Sequence, residues 1–428
     1  MSSSSFEASS RTSLGCGEGL NVLILRVSPS SAMWRLGFFF HEMAFGLLSI
    51  FIPLYVVRTL GGSLVELGVM ASIALLLGIP ASFFWGYICD KTRRYKGYIL
   101  LSFVSASVII YAFTLTGSSI VLFIVLYVVM QMLHVAHEAP KNVLIAEHYS
   151  RQDWEESFAS YQKITEFGWL LGLFLGLVAS TFSLSAGYTL FLCSGLNLAA
   201  FVLSIFLVSD PMLIFERRLV SIERKIDFTD RGVRAASQIL DGYPLTGKIK
   251  QESFLAFGVA LVFFSLALNT FLTPLPIFFA ENLAFPASLI FVVYMLNSGG
   301  AIAGYLFVGG RPVTDAKKAV RRIVLLRSAL IFLLVAVVQI GFAPTLFTAL
   351  ILVLLNFAYA VFYILMISLS MELVPAGRAG VFDVLMGLGA ASGCFLGPFL
   401  AQTLGFVPMF LIAGAIFFLA FVILRIFA

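Results

Sequence analysis

The chain has 428 residues, of which 60% are hydrophobic and only 11% are charged. Soluble domains carry roughly 25% charged residues, so this composition excludes a water-soluble globular protein. A bilayer core about 30 Å thick takes about 20 apolar residues per helical span, which leaves room for about twelve spans and short loops. The net charge of +5 does not indicate nucleic-acid binding, because basic residues of membrane proteins cluster in the loops that orient them.

Residues 1–32 are rich in Ser and Gly, and their apolar patch is shorter than a signal-peptide core. We therefore expect a disordered cytoplasmic tail. The four cysteines are scattered through the chain without paired spacing. This pattern indicates neither a disulfide framework nor a metal-binding one, and we expect no cofactor.

Apolar segments separated by polar turns predict an all-α membrane protein with twelve transmembrane helices. In the first half, the predicted helices cover roughly residues 33–57, 64–85, 98–115, 120–146, 161–181 and 188–208. In the second half, they cover roughly residues 253–279, 287–308, 323–342, 345–373, 382–404 and 406–427. The mixed-charge segment between the halves predicts two helical bundles, over 33–208 and 253–428, joined by a cytoplasmic linker over 209–252.

The basic residues give the expected orientation, because Lys and Arg are retained on the cytoplasmic face. With a cytoplasmic N-terminus, Arg58 is the single basic residue of 27 that falls in an outer loop. We therefore expect both termini, the loop 86–96 and the linker to be cytoplasmic. A multi-pass protein of the cell membrane, either plasma or inner membrane, fits this orientation.

An internal repeat relates the two halves. Glu147, Gly168 and Gly172 recur 225 residues later as Glu372, Gly393 and Gly397. At the same offset, Asp90 corresponds to Asp315, and a basic cluster follows each of them. Duplicated bundles are a common construction of secondary transporters. The glycines alone are interpreted as sites of close helix packing.

The loop 86–96 carries a family signature. Gly86, Asp90, Lys91 and Arg94 match the pattern G-x-x-x-D-[RK]-x-G-[RK]-[RK], with Arg93 where a glycine is usual. In this respect the chain resembles the major facilitator superfamily (MFS). The resemblance implies two pseudo-symmetric six-helix bundles, transport by alternating access, and a central cavity lined by helices 1, 4, 7 and 10.

The resemblance also implies a conformational switch at this loop. Asp90 is expected to approach Asp383, at the start of helix 11, when the inner side closes. Arg94 is expected to bridge Asp90 to Glu147 or Asp383. The predicted switch residues are therefore Gly86, Asp90, Lys91, Arg94, Glu147 and Asp383.

Ionisable side chains inside a span are costly and usually face a cavity where they act. Helix 4 carries a polar stripe at three- and four-residue spacing, and helix 1 carries His41 and Glu42. Glu42 is the predicted proton-binding acid, with His137 and Glu138 as partners. The predicted substrate-binding residues are His41, Gln131, His134 and Lys141 and, on helices 7 and 10 as the resemblance implies, Asn269, Thr273, Asn356, Tyr359 and Tyr363.

Other polar groups have a structural interpretation. Lys163 and Glu166 are one turn apart and are expected to pair, and Arg327 is expected to extend towards the membrane surface. Pro274 and Pro276 are expected to bend helix 7. His134, His137 and Glu138 suggest a metal site if His41 supplies a third imidazole, but their order differs from the zincin pattern, and no metal ligand is predicted.

The predicted function is secondary active transport of a small polar or amphiphilic organic solute, coupled to protons as a symporter or antiporter. We expect a monomer, and a transporter rather than an enzyme. Drug/proton antiport is the alternative in the same class. It is disfavoured because helix 4 lacks an Arg near Val128 and helix 5 lacks a Gly-Pro pair near Gly172. A non-transporting sensor, or a membrane enzyme with a histidine-bound metal, is the alternative of another class, which no cofactor motif supports.

Overall fold

The structure, a computed structural model, describes residues 33–117, 119–148, 154–210, 254–309, 316–341, 344–373 and 380–427. The predicted tail and nearly all of the predicted linker lie outside these residues. The described residues form helices and no strand, and twelve of the helices are long and apolar enough to cross a membrane. The predicted all-α fold with twelve spans is therefore confirmed.

We number the spans in chain order. In the first half, span 1 is Arg35–Leu54 with the π-helical turn Tyr55–Thr59, span 2 is Leu64–Thr92, span 3 is Tyr95–Phe113, span 4 is Ile120–His134 followed by a 3₁₀ turn Val135–His137 and Glu138–His148, span 5 is Trp154–Thr181, and span 6 is Ala186–Leu207. In the second half, span 7 is Phe254–Leu272 with Leu275–Glu281, span 8 is Ala287–Gly309, span 9 is Ala316–Ile340, span 10 is Pro344–Leu373, span 11 is Gly380–Leu404, and span 12 is Phe406–Phe427.

Serine residues fix the starts of three spans. The side chains of Ser63, Ser119 and Ser185 each accept a hydrogen bond from a backbone N–H in the first turn of spans 2, 4 and 6. At Ser63 the cap is reciprocal, because the Glu66 carboxylate accepts the Ser63 backbone N–H at 2.7 Å. These caps satisfy N–H groups that a helix start leaves without a partner.

The predicted loop 86–96 is mostly helical, which corrects the sequence interpretation. Span 2 continues through Asp90 to Thr92, and span 3 begins at Tyr95, so only Arg93 and Arg94 connect them. The charged residues extend the helix beyond the apolar segment instead of ending it. Arg93 adopts a left-handed conformation at φ 56°, and its N–H donates to the Cys89 carbonyl at 2.8 Å.

The repeated glycines lie at equivalent helix contacts in the two halves. A Cβ at Gly172 of span 5 would overlap the backbone of Met43 in span 1. At its repeat equivalent, Gly397 of span 11, a Cβ would overlap the backbone of Thr270 in span 7. Glycine therefore allows span 5 to pack closely on span 1, and span 11 on span 7.

Span 7 is interrupted at its prolines, as predicted. Its first helix ends at Leu272, and Pro274 precedes the second helix, Leu275–Glu281. Proline lacks the N–H that would continue the first helix. The interruption lies beside Thr273, which lines the cavity described below.

In the described residues, the most extensive contacts between the halves are those of span 2 with span 11 and of span 5 with span 8. Several of these contacts lie at the end that carries the turns 60–63, 182–185 and 282–286, which we call the distal end; the opposite end, where span 1 begins, is the terminal end. At the distal end, the Val65 N–H donates to Gln402 Oε1 at 2.8 Å. Arg58 of span 1 also donates to the Ala280 carbonyl of span 7 at 2.6 Å.

Candidate functional site

A cavity of about 890 Å³ lies between the two halves. Spans 1, 2, 4 and 5 contribute its first wall, and spans 7 to 11 contribute the second. Seven of the predicted site residues line it: Glu42, Gln131, Asn269, Thr273, Asn356, Tyr359 and Tyr363. The volume lies in the range of known small-molecule sites, about 300–1,000 Å³.

The first wall carries two carboxylates. Span 1 presents Glu42, Phe45, Ser49 and Ile52, whose spacing of three and four residues places them on one face of the helix. Glu166 of span 5 also lines the cavity. Among the described residues, neither the Glu42 nor the Glu166 carboxylate forms a hydrogen bond or an ion pair. Both ion pairs found there belong to Glu138. Two acids in this wall are therefore available to a proton or a ligand.

The second wall carries amides, hydroxyls and phenols. Asn356 of span 10 donates to the Asn297 carbonyl of span 8 at 2.9 Å. On span 7, Asn269 donates to the Ser265 carbonyl at 2.9 Å, and Thr273 donates to Cys394 Sγ at 3.3 Å. These bonds orient the side chains while further donor or acceptor positions remain, so the wall can bind a polar organic molecule.

Tyr359 and Tyr363 give the same wall an aromatic surface. Their rings stack with centroids 5.9 Å apart and an interplanar angle of 25°. Both belong to span 10, four residues apart, and therefore face the cavity together. Such a surface binds the flat or apolar part of a ligand.

Arg327 differs from its predicted position. Span 9 begins at Ala316, not near residue 323, so Arg327 lies eleven residues or about 16 Å along the helix. Its side chain is buried, with 2% exposed, and it lines the cavity. A guanidinium at this depth is part of the cavity wall and does not reach the membrane surface.

The histidines form a hydrogen-bonded cluster inside the first half. His41 Nδ1 lies 2.6 Å from Asn197 Oδ1, and His41 Nε2 lies 3.1 Å from His134 Nδ1. His137 Nδ1 lies 3.0 Å from Ser102 Oγ. None of the three histidines is among the residues that line the cavity.

One ring nitrogen from each of these histidines lies within 4.8 Å of the other two, the one grouping in the described part of the chain that could hold a metal ion. Hydrogen bonds already connect His41 with His134 and Asn197, and His137 with Ser102. This arrangement supports a polar network that joins spans 1, 3, 4 and 6.

Lys141 and Glu138 are ion-paired with each other, one helical turn apart on span 4. Glu138 also lies 3.4 Å from His137 Nε2, and its side chain is 43% exposed. Neither Lys141 nor Glu138 is among the cavity-lining residues. The described partner of Lys141 is therefore Glu138, and a role of Lys141 in binding substrate stays a prediction.

The predicted switch residues lie near the terminal end. Asp90 is exposed in the last turn of span 2, and Lys91 Nζ lies 5.9 Å from the centre of the Tyr87 ring. The side chains of Glu147 and Asp383 lie outside the described part of the structure. The expected contacts of Asp90 and Arg94 with them therefore stay predictions.

Two charged cavity residues have no counterpart among the predicted site residues: Glu166 and Arg327. The expected Lys163–Glu166 pair is wrong for the described residues, since Lys163 is exposed and Glu166 faces the cavity. A signal for Arg327 was present in the sequence. The basic residues before it continue the helical pattern back to Ala316, which moves Arg327 away from the helix end.

Comparison with solved structures supports the fold. The nucleoside transporter NupG is 13% identical to this chain with a TM-score of 0.66, and the alignment covers 93% of this chain and 98% of that chain. A POT family transporter in complex with 5-aminolevulinic acid is 14% identical, with a TM-score of 0.70 and coverage of 93% and 95%. At these identities, the likeness shows the fold alone.

A variant of the peptide transporter POT in complex with sulfate is 13% identical, with a TM-score of 0.68 and coverage of 92% and 93%. A comparison with curated protein sequences gives no match. The sequence model described as Major Facilitator Superfamily matches residues 36–382, which is most of the chain and includes spans of both halves. With twelve spans and a central cavity as well, the chain belongs to the major facilitator superfamily and is a transporter, not an enzyme.

Proposed function

We propose that this transporter moves a small polar or amphiphilic organic solute by alternating access and couples the movement to protons. The observation that carries the proposal is the cavity between the halves. It combines two carboxylates without partners in the described residues with a wall of amides, hydroxyls and stacked phenols. A purely lipophilic drug would leave these polar groups unpaired, which disfavours drug efflux.

The contacts at the distal end support an inward-facing state. The single basic residue predicted in an outer loop, Arg58, fits an extracytoplasmic location of that end, whereas the other basic residues of tail, loops and linker are predicted on the cytoplasmic side. In this proposal the protein acts as a monomer in the cell membrane. The distal contacts separate and the terminal end closes when the cavity faces outwards.

Proton coupling is proposed to act through Glu42. The charged groups that act on it belong to neighbouring spans: Lys141 and Glu138 on span 4, and Glu166 on span 5. Movement of the halves changes the separation between such groups and the access of water to them. A proton can drive the cycle if its affinity for the site differs between the two access states, whereas a proton bound with equal affinity in both cannot. His137 and Glu138 remain the proposed partners.

The switch is proposed to remain at the junction of spans 2 and 3. Asp90 lies at the end of span 2, the span that contacts span 11 across the halves. A carboxylate near the start of a helix gains about 0.3–1 kcal/mol, so Asp90 close to span 11 would favour closure of the terminal end. Cysteine-accessibility labelling of Asp90→Asn in both access states tests this role.

Transport by purified protein in sealed vesicles, with and without a proton gradient, tests the proposed function. Nucleosides, peptides and 5-aminolevulinic acid are suitable first solutes, because the solved structures of similar fold include a nucleoside transporter, a peptide transporter and a complex with 5-aminolevulinic acid. We expect accumulation of one solute class that collapses when a protonophore is added. Protein-free vesicles are the control. Accumulation that is indifferent to the gradient would contradict the proton coupling.

A further inference from the structure

Arg327 is a buried cation in the wall of the cavity. It belongs to span 9, and its guanidinium carbon lies 5.5 Å from the centre of the Phe264 ring and 5.2 Å from that of Phe417. The Tyr359 ring, 5.6 Å away, lies beside it on the cavity side. Aromatic faces attract a guanidinium and hold its plane in place. The cation is therefore fixed, not free to swing into solvent.

The hydrogen bonds of Arg327 are incomplete. Nη1 donates to the Leu355 carbonyl at 2.6 Å, whereas Nε is buried without a hydrogen-bond partner. No carboxylate pairs with it in the described residues, where both ion pairs involve Glu138. A buried charge without a counterion is unfavourable unless an anion completes its environment. Arginine also matches the two oxygens of a carboxylate through parallel N–H groups.

The opposite wall carries the opposite charge. Glu42 and Glu166 line the cavity from spans 1 and 5, and neither is paired with Arg327. Glu42 is the acid proposed above to exchange a proton, and Lys141, Glu138 and Glu166 all act on it. Glu166 is then the carboxylate available to bind a cationic group.

We propose that the cargo is a small zwitterion, with its carboxylate on Arg327 and its ammonium group on Glu166. This inference rests on the proposed transport function and specifies the substrate of the same cavity. A molecule with both charges contacts both halves at once, because Glu166 belongs to the first half and Arg327 to the second. Binding of the zwitterion therefore joins the two halves across the site. A singly charged molecule would form an ionic contact with one half only.

A matched ligand series on the wild-type protein tests the charge requirement. Glycine, β-alanine, 4-aminobutyric acid and 5-aminolevulinic acid are compared with their methyl esters, which lack the anion, and their N-acetyl derivatives, which lack the cation. Binding is measured by thermal shift and by calorimetry. We expect at least one amino acid to bind about 10-fold or more tightly than either derivative, as the loss of a buried charge contact implies. Equal affinity for the acid and its ester would overturn the proposal.

Substitutions then assign the two ends. Arg327→Gln is expected to remove the preference for acid over ester, and Glu166→Gln the preference for the free amine over its N-acetyl form. Arg327→Lys keeps the charge without the two parallel donors and is expected to keep part of the preference. Arg322→Gln, an exposed position on the same span, is the control and should bind as wild type. An unchanged preference in folded Arg327→Gln would overturn the assignment.

The outcomes separate this inference from the transport function. Gradient-driven uptake of an uncharged sugar or nucleoside, with no binding of any zwitterion in the series, would leave the transporter proposal standing and reject the zwitterion. Binding of a zwitterion without its uptake under any gradient would support the site and reject the proton-coupled transport. If Arg327→Gln does not fold, the wild-type ligand series still decides the charge requirement.

Discussion

At the scale of single residues, the charged groups near the cavity fall into two kinds. Lys141 and Glu138 form an ion pair with each other and stabilise span 4 locally. Glu42, Glu166 and Arg327 face the cavity and have no ion pair in the described residues. We propose that groups of the second kind bind protons or ligands, because buried polar groups otherwise lose hydration without compensation.

Glu42→Gln is expected to abolish gradient-driven accumulation while exchange of cargo remains measurable. Glutamine keeps the size and hydrogen-bonding capacity of the side chain but cannot release a proton. Coupling is lost, whereas the alternation of the loaded carrier is not. Counterflow and gradient-driven uptake in the same vesicles give the comparison.

Glu281→Gln, an exposed carboxyl substitution outside the cavity lining, is the control for Glu42→Gln and should behave as wild type. Wild-type pH dependence of accumulation in Glu42→Gln would place the coupling acid elsewhere. Glu138 and Glu166 would then be tested by the same substitution.

The sequence indicates Glu42 of span 1 because an ionisable group inside a span usually faces a cavity. The family resemblance implies the cavity residues of spans 7 and 10, and helical spacing places Asn356 and Tyr359 on one face. The sequence does not predict Arg327 or Glu166 as cavity residues. The depth of Arg327 depends on where span 9 begins. The position of Glu166 depends on which face of span 5 is turned towards the cavity. A one-dimensional hydropathy pattern contains neither piece of information when charged residues continue the helix.

At the scale of helices and their connections, the junction of spans 2 and 3 shows how closely a signature constrains geometry. The signature usually has glycine where this chain has Arg93. Arg93 nevertheless adopts the left-handed conformation, φ 56°, that favours glycine. The sequence signature therefore identifies a turn of defined shape that a less suitable residue occupies here.

Arg93→Gly is expected to stabilise the protein slightly. Relief of the left-handed conformation contributes about 1 kcal/mol, partly offset by the greater freedom of glycine in the unfolded chain. The readout is the apparent melting temperature in detergent. Arg94→Gly is the matched control, since Arg94 has a negative φ of −101° and gains no such relief. A lower melting temperature for Arg93→Gly than for Arg94→Gly would contradict this explanation.

Gly172→Ala is expected to destabilise the contact between spans 5 and 1. Its added Cβ would overlap the Met43 carbonyl, and overpacking of this kind costs about 1–3 kcal/mol. Gly195→Ala on span 6 is the control, because a Cβ there meets no atom within 4 Å. The yield of monodisperse protein and its melting temperature measure both variants. Equal behaviour of the two would show that span 5 can shift without loss.

At the scale of the whole molecule, the contacts within each half differ from those between the halves. Within a half, glycines bring helix backbones together, as at Gly172 and Gly397. Between the halves, Gly68 approaches the Cys394 backbone less closely and Gly176 contacts a side chain, the Phe291 ring. The distal contacts also include single hydrogen bonds from Val65 and Arg58. Backbone contacts of the first kind resist separation, whereas isolated hydrogen bonds can break during a cycle. The halves are therefore expected to move as units.

A cross-link between Val65→Cys and Gln402→Cys is expected to stop transport without preventing ligand binding. Oxidation or a short bifunctional thiol reagent would hold the distal end closed, so the cavity could not open there. Reduction should restore uptake. The matched control is Ser107→Cys with Ser194→Cys: these hydroxyls lie 3.2 Å apart within the first half. Uptake that continues at full rate with complete distal cross-linking would show that this end does not open.

Arg327, which has no ion pair in the described residues, also has an electrical consequence. A zwitterion bound between Arg327 and Glu166 adds no net charge, so one accompanying proton would carry one elementary charge across the bilayer per cycle. A membrane potential of 100 mV is worth about 2.3 kcal/mol for each such charge, or about a 50-fold concentration ratio. The voltage across the membrane, and not acidity alone, would then set how far the cargo accumulates.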